Sequence, residues 1–266
     1  MSDQAAFAAI ILAGSRRGTD PVALAAGVTK KCLATVGGVP MVARVIEVLA
    51  RHDAIGKMAL VVDDGAEIAT LEPLAELRRQ GRLLTVTPAA SLSSSVRAAL
   101  DVLGRRPVLV TTADHALLDD AILGHFLDHA RATNVDLAVG MVPSGAILAA
   151  YPESVRTFWR FRDERYSGAN LFVLLTPAAD VAVGFWRRVE QERKRPWRIA
   201  RIFGWRHLLA YLLGRVTLDQ AMLRASTVIG CRIRAVPIPI AEAAIDVDKP
   251  ADLELAERIV RQRSRR

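Results

Sequence analysis

The sequence AIILAGSRRG, residues 9–18, joins a short apolar run to a loop that is rich in glycine and arginine. The apolar run predicts a buried first strand. The segment that follows has no helical or strand periodicity as far as Pro40, and a connection longer than about 15 residues is usually functional. Its glycines let backbone amides approach a ligand, and its arginines and lysines supply positive charge. We therefore expect a polyphosphate site in this loop.

The glycine spacing in this loop excludes two common phosphate motifs. Neither G-x-G-x-x-G nor G-x-x-x-x-G-K-[ST] occurs, which disfavours a dinucleotide-binding fold and a P-loop. Taken alone, Gly14 and Gly18 are also compatible with a simple turn. Other parts of the chain are needed to decide between a polyphosphate site and a simple turn.

The composition predicts one globular domain. A chain of 266 residues, 52% of them hydrophobic, is long enough to bury a complete core. No apolar run reaches the length of a membrane span, and residues 1–4 lack the positive region of a signal peptide. Cys32 and Cys231 are too far apart in sequence to predict a disulfide or metal framework. We expect a cytoplasmic protein.

The net charge of +8 comes mainly from arginine clusters, at residues 187–188, 193–201 and 261–266. Such clusters suit an anionic small molecule, an anionic membrane surface or a nucleic acid. A solvated charged face is the commonest explanation of any one cluster. Because no helix-turn-helix, RNP-like or zinc-finger signature occurs, we do not expect a nucleic-acid partner.

Strand-like and helix-like segments alternate through the first half of the chain, which predicts a mostly parallel sheet with helices on both faces. We expect an α/β fold, a three-layer αβα sandwich of Rossmann-like type, in a single domain of residues 1–266. Ligands of such sheets gather at the carboxyl ends of the strands. The predicted strands are Ala6–Leu12, Met58–Val62, Leu83–Thr87, Pro107–Thr111, Val135–Met141, Asn170–Leu175 and Arg232–Pro237. The predicted helices are Met41–Arg51, Glu67–Gln80, Ser94–Leu103 and Asp119–Ala132.

The alternation stops near Pro143. Residues 143–169 mix aromatic and charged side chains, and residues 177–226 predict two or three successive helices before a strand returns. We interpret residues 143–226 as a helical elaboration on the substrate side of the same domain.

Two acidic residues are candidates for metal binding. Asp114 comes directly after the strand at residues 107–111, and Asp246 precedes the final helix. The alternative is that Asp114 is the N-cap of the helix that starts near Leu118, a role that Asp119 also fits. The entrance of the final helix accounts for Asp248 but not for Asp246. Two carboxylates from distant strand ends are able to hold one Mg²⁺ against phosphate oxygens.

Four segments resemble the MobA-like nucleotidyltransferases, a family of GT-A-like fold that is related to molybdopterin, inositol-phosphate, methylerythritol-phosphate and sugar-phosphate nucleotidyltransferases. The segments are AIILAGSRRGTD…TKKCLATVGGVPMVARVIEVL from residue 9, SLSSSVRAAL from residue 91, VLVTTADHALL from residue 108 and AIDVDKPADLELAE from residue 244. The resemblance covers residues 7–142 and 168–262 in order. It implies transfer of a nucleotidyl group from an NTP to a phosphorylated alcohol or sugar, with Mg²⁺ as cofactor and release of pyrophosphate.

The resemblance also implies roles for individual residues. Those implied to bind the nucleotide are Leu12, Ala13, Gly14, Ser15, Arg16, Gly18, Ser93, Ser94 and Ala113, with Lys31 at the α-phosphate. Asp114 and Asp246 match the two metal-binding acids, and Gly168 and Asn170 match the strand that lines the acceptor pocket. Arg17 stands where a glycine is frequent in the family, so either Arg16 or Arg17 is a candidate for reaching the phosphates. The usual proline before Lys31 is missing, so Lys30 is an alternative to Lys31.

The implied reaction depends on cations and a metal, not on a nucleophilic side chain. An acceptor phosphate oxygen attacks the α-phosphorus in line, and catalysis comes from bringing two anions together and neutralising their charge. His115 is therefore expected to be structural. CTP is favoured over GTP, on the hypothesis that the product is a phospholipid precursor.

The segment 187–224 combines many cations with aromatic and leucine side chains. Lys194 and Arg195 are candidates for binding the acceptor phosphate. The same pattern fits an amphipathic helix on an anionic membrane, a homodimer interface or ordinary core packing. The sequence leaves these alternatives open.

Two other functions compete with nucleotidyl transfer. A GT-A glycosyltransferase would use a nucleotide sugar on a similar scaffold, but it normally has a D-x-D pair after a central strand. Here that strand is followed by the single acid Asp114, and the pair Asp246-x-Asp248 comes just before the last helix. A basic scaffold protein without enzymatic activity would leave the two separated carboxylates without a purpose.

Overall fold

A computed structural model describes residues 7–14, 20–64, 66–72, 74–104, 106–132, 134–192 and 202–264. Within these residues the strands are β1 (Phe7–Leu12), β2 (Thr35–Val36), β3 (Val39–Pro40), β4 (Ile55–Val61), β5 (Leu83–Val86), β6 (Val108–Thr112), β7 (Leu137–Pro143), β8 (Trp159–Arg160), β9 (Arg165–Leu174) and β10 (Ile233–Pro237). The helices are α1 (Pro21–Ala26), α2 (Met41–Arg51), α3 (Ala66–Ala69), α4 (Leu74–Arg79), α5 (Leu92–Leu103), α6 (Asp120–Arg131), α7 (Ser144–Ala150), α8 (Asp180–Glu192), α9 (Trp205–Leu212), α10 (Leu218–Ile229) and α11 (Pro250–Arg263).

The central sheet is mostly parallel, as the sequence predicted. Its order is β10-β7-β9-β6-β1-β4-β5, and β8 pairs with β9 at one end. β9 runs antiparallel to both of its neighbours, β6 and β7. β2 and β3 form a separate two-stranded hairpin. β9 lies within residues 143–226, so this part of the chain contributes a strand to the central sheet as well as helices.

Helices cover both faces of the sheet, because successive residues of the buried strands point to opposite sides. Phe7, Ala9 and Ile11 of β1 pack into one hydrophobic cluster, together with α2, α4 and α6. Ala8 and Ile10 pack into a second cluster with α5 and α8. The three-layer α/β sandwich predicted from the sequence is therefore confirmed.

Two predictions about local structure were wrong. The helix predicted at Glu67–Gln80 is divided into α3 and α4, since the sequence places Pro73 in its middle and proline interrupts a helix. The segment between β1 and α2 was expected to lack regular structure. It contains α1, a 3₁₀ turn at Lys31–Leu33 and the β2–β3 hairpin, and these elements are too short to produce a periodic pattern.

Among the residues that are described, none of the helices combines the length and the apolar character needed to cross a bilayer.

Candidate active site

Three segments of the chain meet at the carboxyl edge of the central sheet. β1 lies between β4 and β6 and is parallel to both. Beyond the strands, the N–H of Ala113 donates to the carbonyl of Leu12 at 2.9 Å. The N–H of Val247 donates to the carbonyl of Asp114 at 3.1 Å. The end of β1, the end of β6 and the segment before α11 therefore lie side by side.

Lys31 connects two of the acidic residues at this edge. Its Nζ lies 2.6 Å from Oδ2 of Asp114 and 2.7 Å from Oδ1 of Asp248. The side chains of Lys31 and Asp114 are only 20% and 19% exposed, so solvent weakens their interaction less than it weakens a surface pair. An ammonium group has three N–H donors. Two of them make these contacts, and the third is suited to a phosphate oxygen.

Lys31 keeps its positive charge despite its burial. Burial by itself lowers the pKa of this ammonium, but the charges and hydrogen bonds of Asp114 and Asp248 outweigh it, and the pKa is raised above the ordinary 10.5. The contacts with Asp114 and Asp248 place this charge at the carboxyl edge of the sheet, which favours Lys31 over Lys30 as the lysine that meets a phosphate.

Asp114 is not a helix cap. The N-cap of α6 is Asp119, whose Oδ1 accepts a hydrogen bond from the N–H of Ile122 at 3.0 Å. Oδ1 of Asp114 is buried and has no hydrogen-bond partner among the described residues. A buried carboxylate oxygen without a donor is costly unless a ligand or ion satisfies it.

Asp246 is held by one cation and one amide. Its Oδ1 lies 2.7 Å from Nη1 of Arg156, and its Oδ2 accepts a hydrogen bond from Nδ2 of Asn170 at 2.9 Å. The pKa of Asp246 is raised, first by burial and then by the negative charges of Asp114 and Asp248, while Arg156 acts in the opposite direction. The crowding of these carboxylates means that the site has an excess of negative charge.

Arg156 also connects Asp246 to the start of α11. Its Nη2 lies 3.0 Å from Oδ1 of Asp252. The other oxygen of Asp252 accepts hydrogen bonds from the backbone N–H groups of Asp248 at 3.2 Å and Lys249 at 2.9 Å. Asp252 thus caps the entrance of the helix, and the carboxylate of Asp248 turns to Lys31 instead.

An irregularity in β9 directs Asn170 to Asp246. β7 pairs with β9 at Val139–Phe172 and again at Met141–Gly168, so β9 carries two extra residues between these pairs. Asn170 lies in this bulge with φ of 50°, a conformation that non-glycine residues seldom adopt and that asparagine tolerates best. Bulges commonly reorient a side chain next to a functional site.

An open cleft with a volume of about 300 Å³ adjoins these residues. Both residues predicted for the acceptor pocket, Gly168 and Asn170, line it, and so does the predicted metal ligand Asp246. Trp159 and Lys249 also line this cleft, together with two residues that carry hydroxyl groups, Thr157 and Ser167.

The donor set of this site fits Mg²⁺. Asp114 offers a buried oxygen without a partner among the described residues, and the oxygens of Asp246 retain lone pairs beside their hydrogen bonds. Within the described part of the chain, no group of three or more acidic, histidine or cysteine side chains is arranged to hold a metal by itself. Mg²⁺ commonly uses one or two carboxylates and completes its shell with water and substrate phosphates.

Three of the residues implied to bind the nucleotide lie at the same edge. Leu12 is the last residue of β1, Ala13 follows it, and Ala113 follows β6. Among the described residues, the nearest atoms to a Cβ added to Gly14 belong to Pro88 and Asp63, at ordinary contact distances from 3.5 Å.

The serines at the start of α5 are engaged with the protein. Ser91 is the N-cap and accepts a hydrogen bond from the N–H of Ser94. Ser93 is buried, and its hydroxyl donates to the carboxylate of Glu190 on α8. Of the two predicted serines, Ser94 is the more exposed.

Several predicted residues lie outside the described residues: Ser15, Arg16 and Gly18 of the glycine-rich loop, and the acceptor candidates Lys194 and Arg195. Their roles stay predictions. Conversely, sequence reasoning missed Arg156 and Asp252, and it treated Asp248 only as part of a helix entrance. Arg156 belongs to an irregular segment between α7 and β8, where no periodic pattern indicates which way a side chain points.

His115 is an uncharged residue behind the site. It is fully buried, and burial lowers its pKa to about 4 in spite of the nearby charges of Asp114 and Asp119. Its ring is therefore neutral at physiological pH, in keeping with a structural role.

Comparisons with known proteins identify the family. The model of the MobA-like NTP transferase domain matches residues 9–220. A hypothetical transferase from Thermus thermophilus is 32% identical, with a TM-score of 0.79 over 93% of this chain and 99% of that one. No curated protein matches the chain significantly.

More distant structures share the fold. A 2-C-methyl-D-erythritol 4-phosphate cytidylyltransferase, also from Thermus thermophilus, is 15% identical, with a TM-score of 0.52 over 96% of this chain and 98% of that one. A CMP:2-keto-3-deoxy-manno-octonic acid synthetase complexed with CTP is 13% identical, with a TM-score of 0.58 over 97% and 99%. The match of the family model over residues 9–220, most of the chain, shows that the chain belongs to the MobA-like nucleotidyltransferase family.

Proposed function

We propose that this nucleotidyltransferase moves a nucleoside monophosphate, CMP in the first instance, from an NTP to a phosphorylated alcohol or sugar and releases pyrophosphate. The observation that carries the proposal is the position of Lys31, held between Asp114 and Asp248 at the carboxyl edge of the sheet, with Asp246 in the adjoining cleft. A cation and several carboxylates at one point suit a triphosphate that arrives with a divalent metal.

The chemistry needs no covalent enzyme intermediate. An oxygen of the acceptor phosphate attacks the α-phosphorus, a new P–O bond forms, and the bond to the pyrophosphate oxygen breaks. The remaining N–H of Lys31 would donate to an α-phosphate oxygen and stabilise the charge that develops there. Mg²⁺, when bound by Asp114 and Asp246, would supply further neutralisation of the phosphate charge.

Asn170 and Arg156 would act by positioning Asp246. Both donate to its carboxylate, at 2.9 Å and 2.7 Å respectively, and so fix its orientation towards the cleft. Groups that orient a metal ligand in this way commonly contribute about 10- to 100-fold to metal affinity or activity. The acceptor would occupy the cleft beyond Asp246, where the cation Lys249 forms part of the lining.

CTP is the first NTP to test because two of the structures that share the fold are a cytidylyltransferase and a CMP:2-keto-3-deoxy-manno-octonic acid synthetase complexed with CTP. At 15% and 13% identity these structures show the fold alone, so GTP is the necessary comparison. Family membership and the lysine that is characteristic of NTP chemistry favour nucleotidyl transfer over glycosyl transfer.

The test is pyrophosphate release with Mg²⁺, each NTP in turn and a panel of phosphorylated alcohols and sugars. We expect release with one NTP that depends on the acceptor. Lys31→Met should lower kcat about 10²- to 10³-fold, the usual loss when one donor to a transition-state oxygen is removed. Asp114→Ala should abolish activity, and the neighbouring Lys30→Met is the matched control, with activity close to that of the unmodified protein.

Two outcomes would contradict the proposal. Undiminished release in Lys31→Met would remove the role of this lysine. Transfer of a sugar from a nucleotide sugar, without pyrophosphate formation, would replace nucleotidyl transfer by glycosyl transfer.

A further inference from the structure

Helix α9 presents an apolar stripe to the outside of the molecule. Trp205, Leu208, Leu209 and Leu212 recur at helical spacing and are 72%, 36%, 47% and 70% exposed. Leu213, directly after the helix, is 56% exposed. The helix has no buried residue, so ordinary core packing, one of the alternatives left open by the sequence, is wrong for this helix.

Contacts beside this stripe attach α9 to the body of the protein. The ring of Tyr211 packs edge-on against Phe161, with 5.7 Å between the ring centroids. At the start of the helix, Nε and Nη2 of Arg224 donate to the carbonyl of Phe203 at 3.0 and 2.8 Å. These contacts fix the rotation of α9, so the outward direction of its apolar stripe is a property of the fold.

The charged side chains next to the stripe along the sequence are positive. Arg206 and Arg215 are exposed within the helix and shortly after it. In the sequence, residues 193–218 contain seven lysines and arginines and no aspartate or glutamate. A second copy of this chain seated on the same face would bring like charges together, whereas an anionic surface would be attracted to them.

We propose that α9 seats the protein on the surface of an anionic phospholipid bilayer. An amphipathic helix with tryptophan and leucine on one face and arginine at its flanks is suited to lie in the interfacial plane, where apolar burial and charge attraction add together. An eight-residue helix is much too short to cross the bilayer, which agrees with contact at the surface only. This proposal is independent of the nucleotidyl transfer proposed above, because α9 and the arginines beside it, Arg206 and Arg215, contribute no residue to the candidate active site.

The experiment is co-sedimentation of the purified full chain with vesicles of phosphatidylcholine alone and of phosphatidylcholine mixed with phosphatidylglycerol. We expect binding to the mixed vesicles that weakens at high salt, and little binding to the neutral ones. Leu209→Glu/Leu212→Glu should lower the partition coefficient about tenfold or more, since burial of one leucine side chain accounts for about that factor. Val181→Glu, at an exposed position 46% accessible at the start of α8, is the matched control and should bind normally.

A second variant separates charge from apolar contact and guards against a folding defect. Arg206→Glu/Arg215→Glu leaves the apolar stripe intact and should also lose binding to the mixed vesicles, with an unchanged circular dichroism spectrum. The proposal is overturned if the unmodified protein does not bind the mixed vesicles, or if both double variants bind them as well as the unmodified protein does. A dimer in light scattering that becomes a monomer in Leu209→Glu/Leu212→Glu, without vesicle binding by the unmodified protein, would assign the stripe to a second copy instead.

Discussion

Asn170 combines a rare backbone conformation with a contact in the candidate active site. Its φ of 50° is in the left-handed region, and its amide donates to Oδ2 of Asp246 at 2.9 Å. Strained positions of this kind persist where the surrounding structure over-determines them, and they cluster at functional sites. The backbone cost and the side-chain contact can be separated experimentally, because glycine and alanine both remove the contact but only alanine resists a positive φ.

We expect Asn170→Gly and Asn170→Ala to differ in stability but not in activity. Both lose the donor to Asp246 and should show a similar fall in kcat, about 10- to 100-fold. Alanine, unlike glycine, resists a positive φ, so the alanine variant should be less stable than the glycine variant by about 1 kcal/mol in urea unfolding. Full activity in the glycine variant would show that the amide does not position Asp246.

The charged residues of the site differ in how clearly the sequence predicted them. Asp114 was recognisable because it follows a buried strand directly, and strand ends have a fixed place in a parallel sheet. Asp246 stood out because the final helix did not need it as a cap. Arg156 carried no such signal, since its partners Asp246 and Asp252 are 90 and 96 residues away in sequence and are joined to it only by the fold.

At the scale of elements, the β2–β3 hairpin places Lys31 relative to the rest of the site. Its turn residues Gly37 and Gly38 have φ of 61° and 77°, which the tight turns of hairpins require. The N–H of Gly37 donates to Glu257 of α11 at 2.9 Å, and Arg44 of α2 donates to the carbonyl of Val36 at 3.1 Å. The hairpin is therefore held between two helices, a few residues after Lys31.

Two neighbouring glycine substitutions should report on the packing of this hairpin. Gly38→Ala has open space around its added Cβ, and its cost is the positive φ alone, about 1–2 kcal/mol. Gly37→Ala has the same backbone cost, and its Cβ would also lie 2.6 Å from Cγ1 of Val260. We expect a further loss of about 1–3 kcal/mol for this overlap in chemical denaturation. Equal losses of unfolding free energy in the two variants would mean that the hairpin and α11 pack less closely than they do in the structure.

The elements themselves were predictable where apolar runs or helical periodicity extended over enough residues. This class includes the long helices α2, α5 and α6 and the strands of the central sheet other than β8, with shifts of a few residues at their ends. The 3₁₀ turn at Lys31–Leu33, the two-residue strands β2 and β3, and the bulge around Asn170 do not. Their geometry is set by packing against distant parts of the chain, which no local pattern encodes.

At the scale of the whole molecule, the edge of the sheet opposite the active site is fixed by one buried carboxylate. Asp136 accepts hydrogen bonds from the backbone N–H of Arg232 at 2.8 Å, from Nη2 of the same residue at 3.0 Å and from the hydroxyl of Thr176 at 2.7 Å. Its own carbonyl accepts from the N–H of Leu175 at 2.8 Å. The residue thereby joins the beginnings of β7 and β10 to the end of β9.

This arrangement predicts a specific loss of stability in acid. The pKa of Asp136 is held below its ordinary 3.8, chiefly by the hydrogen bonds of the Arg232 side chain and against the effect of burial. As the pH falls below the pKa that Asp136 has in the unfolded chain, the unfolded chain binds a proton at this carboxylate while the folded chain keeps it ionised. The stabilisation is therefore complete above about pH 5 and is lost progressively below about pH 4.

Thermal unfolding measured between neutral and acidic pH tests this for the unmodified protein and two variants. Asp136→Asn should lower Tm at neutral pH, where the ionised carboxylate stabilises the fold. On acidification, the Tm of this variant should fall less than the Tm of the unmodified protein, because the variant has no carboxylate at position 136 to become protonated. Asp120→Asn removes the carboxylate of an ion pair with Arg51 in which both side chains are 56% exposed, and pairs of that kind contribute little. It should follow the curve of the unmodified protein throughout. Parallel curves for Asp136→Asn and the unmodified protein would show that acid stability is determined elsewhere in the molecule.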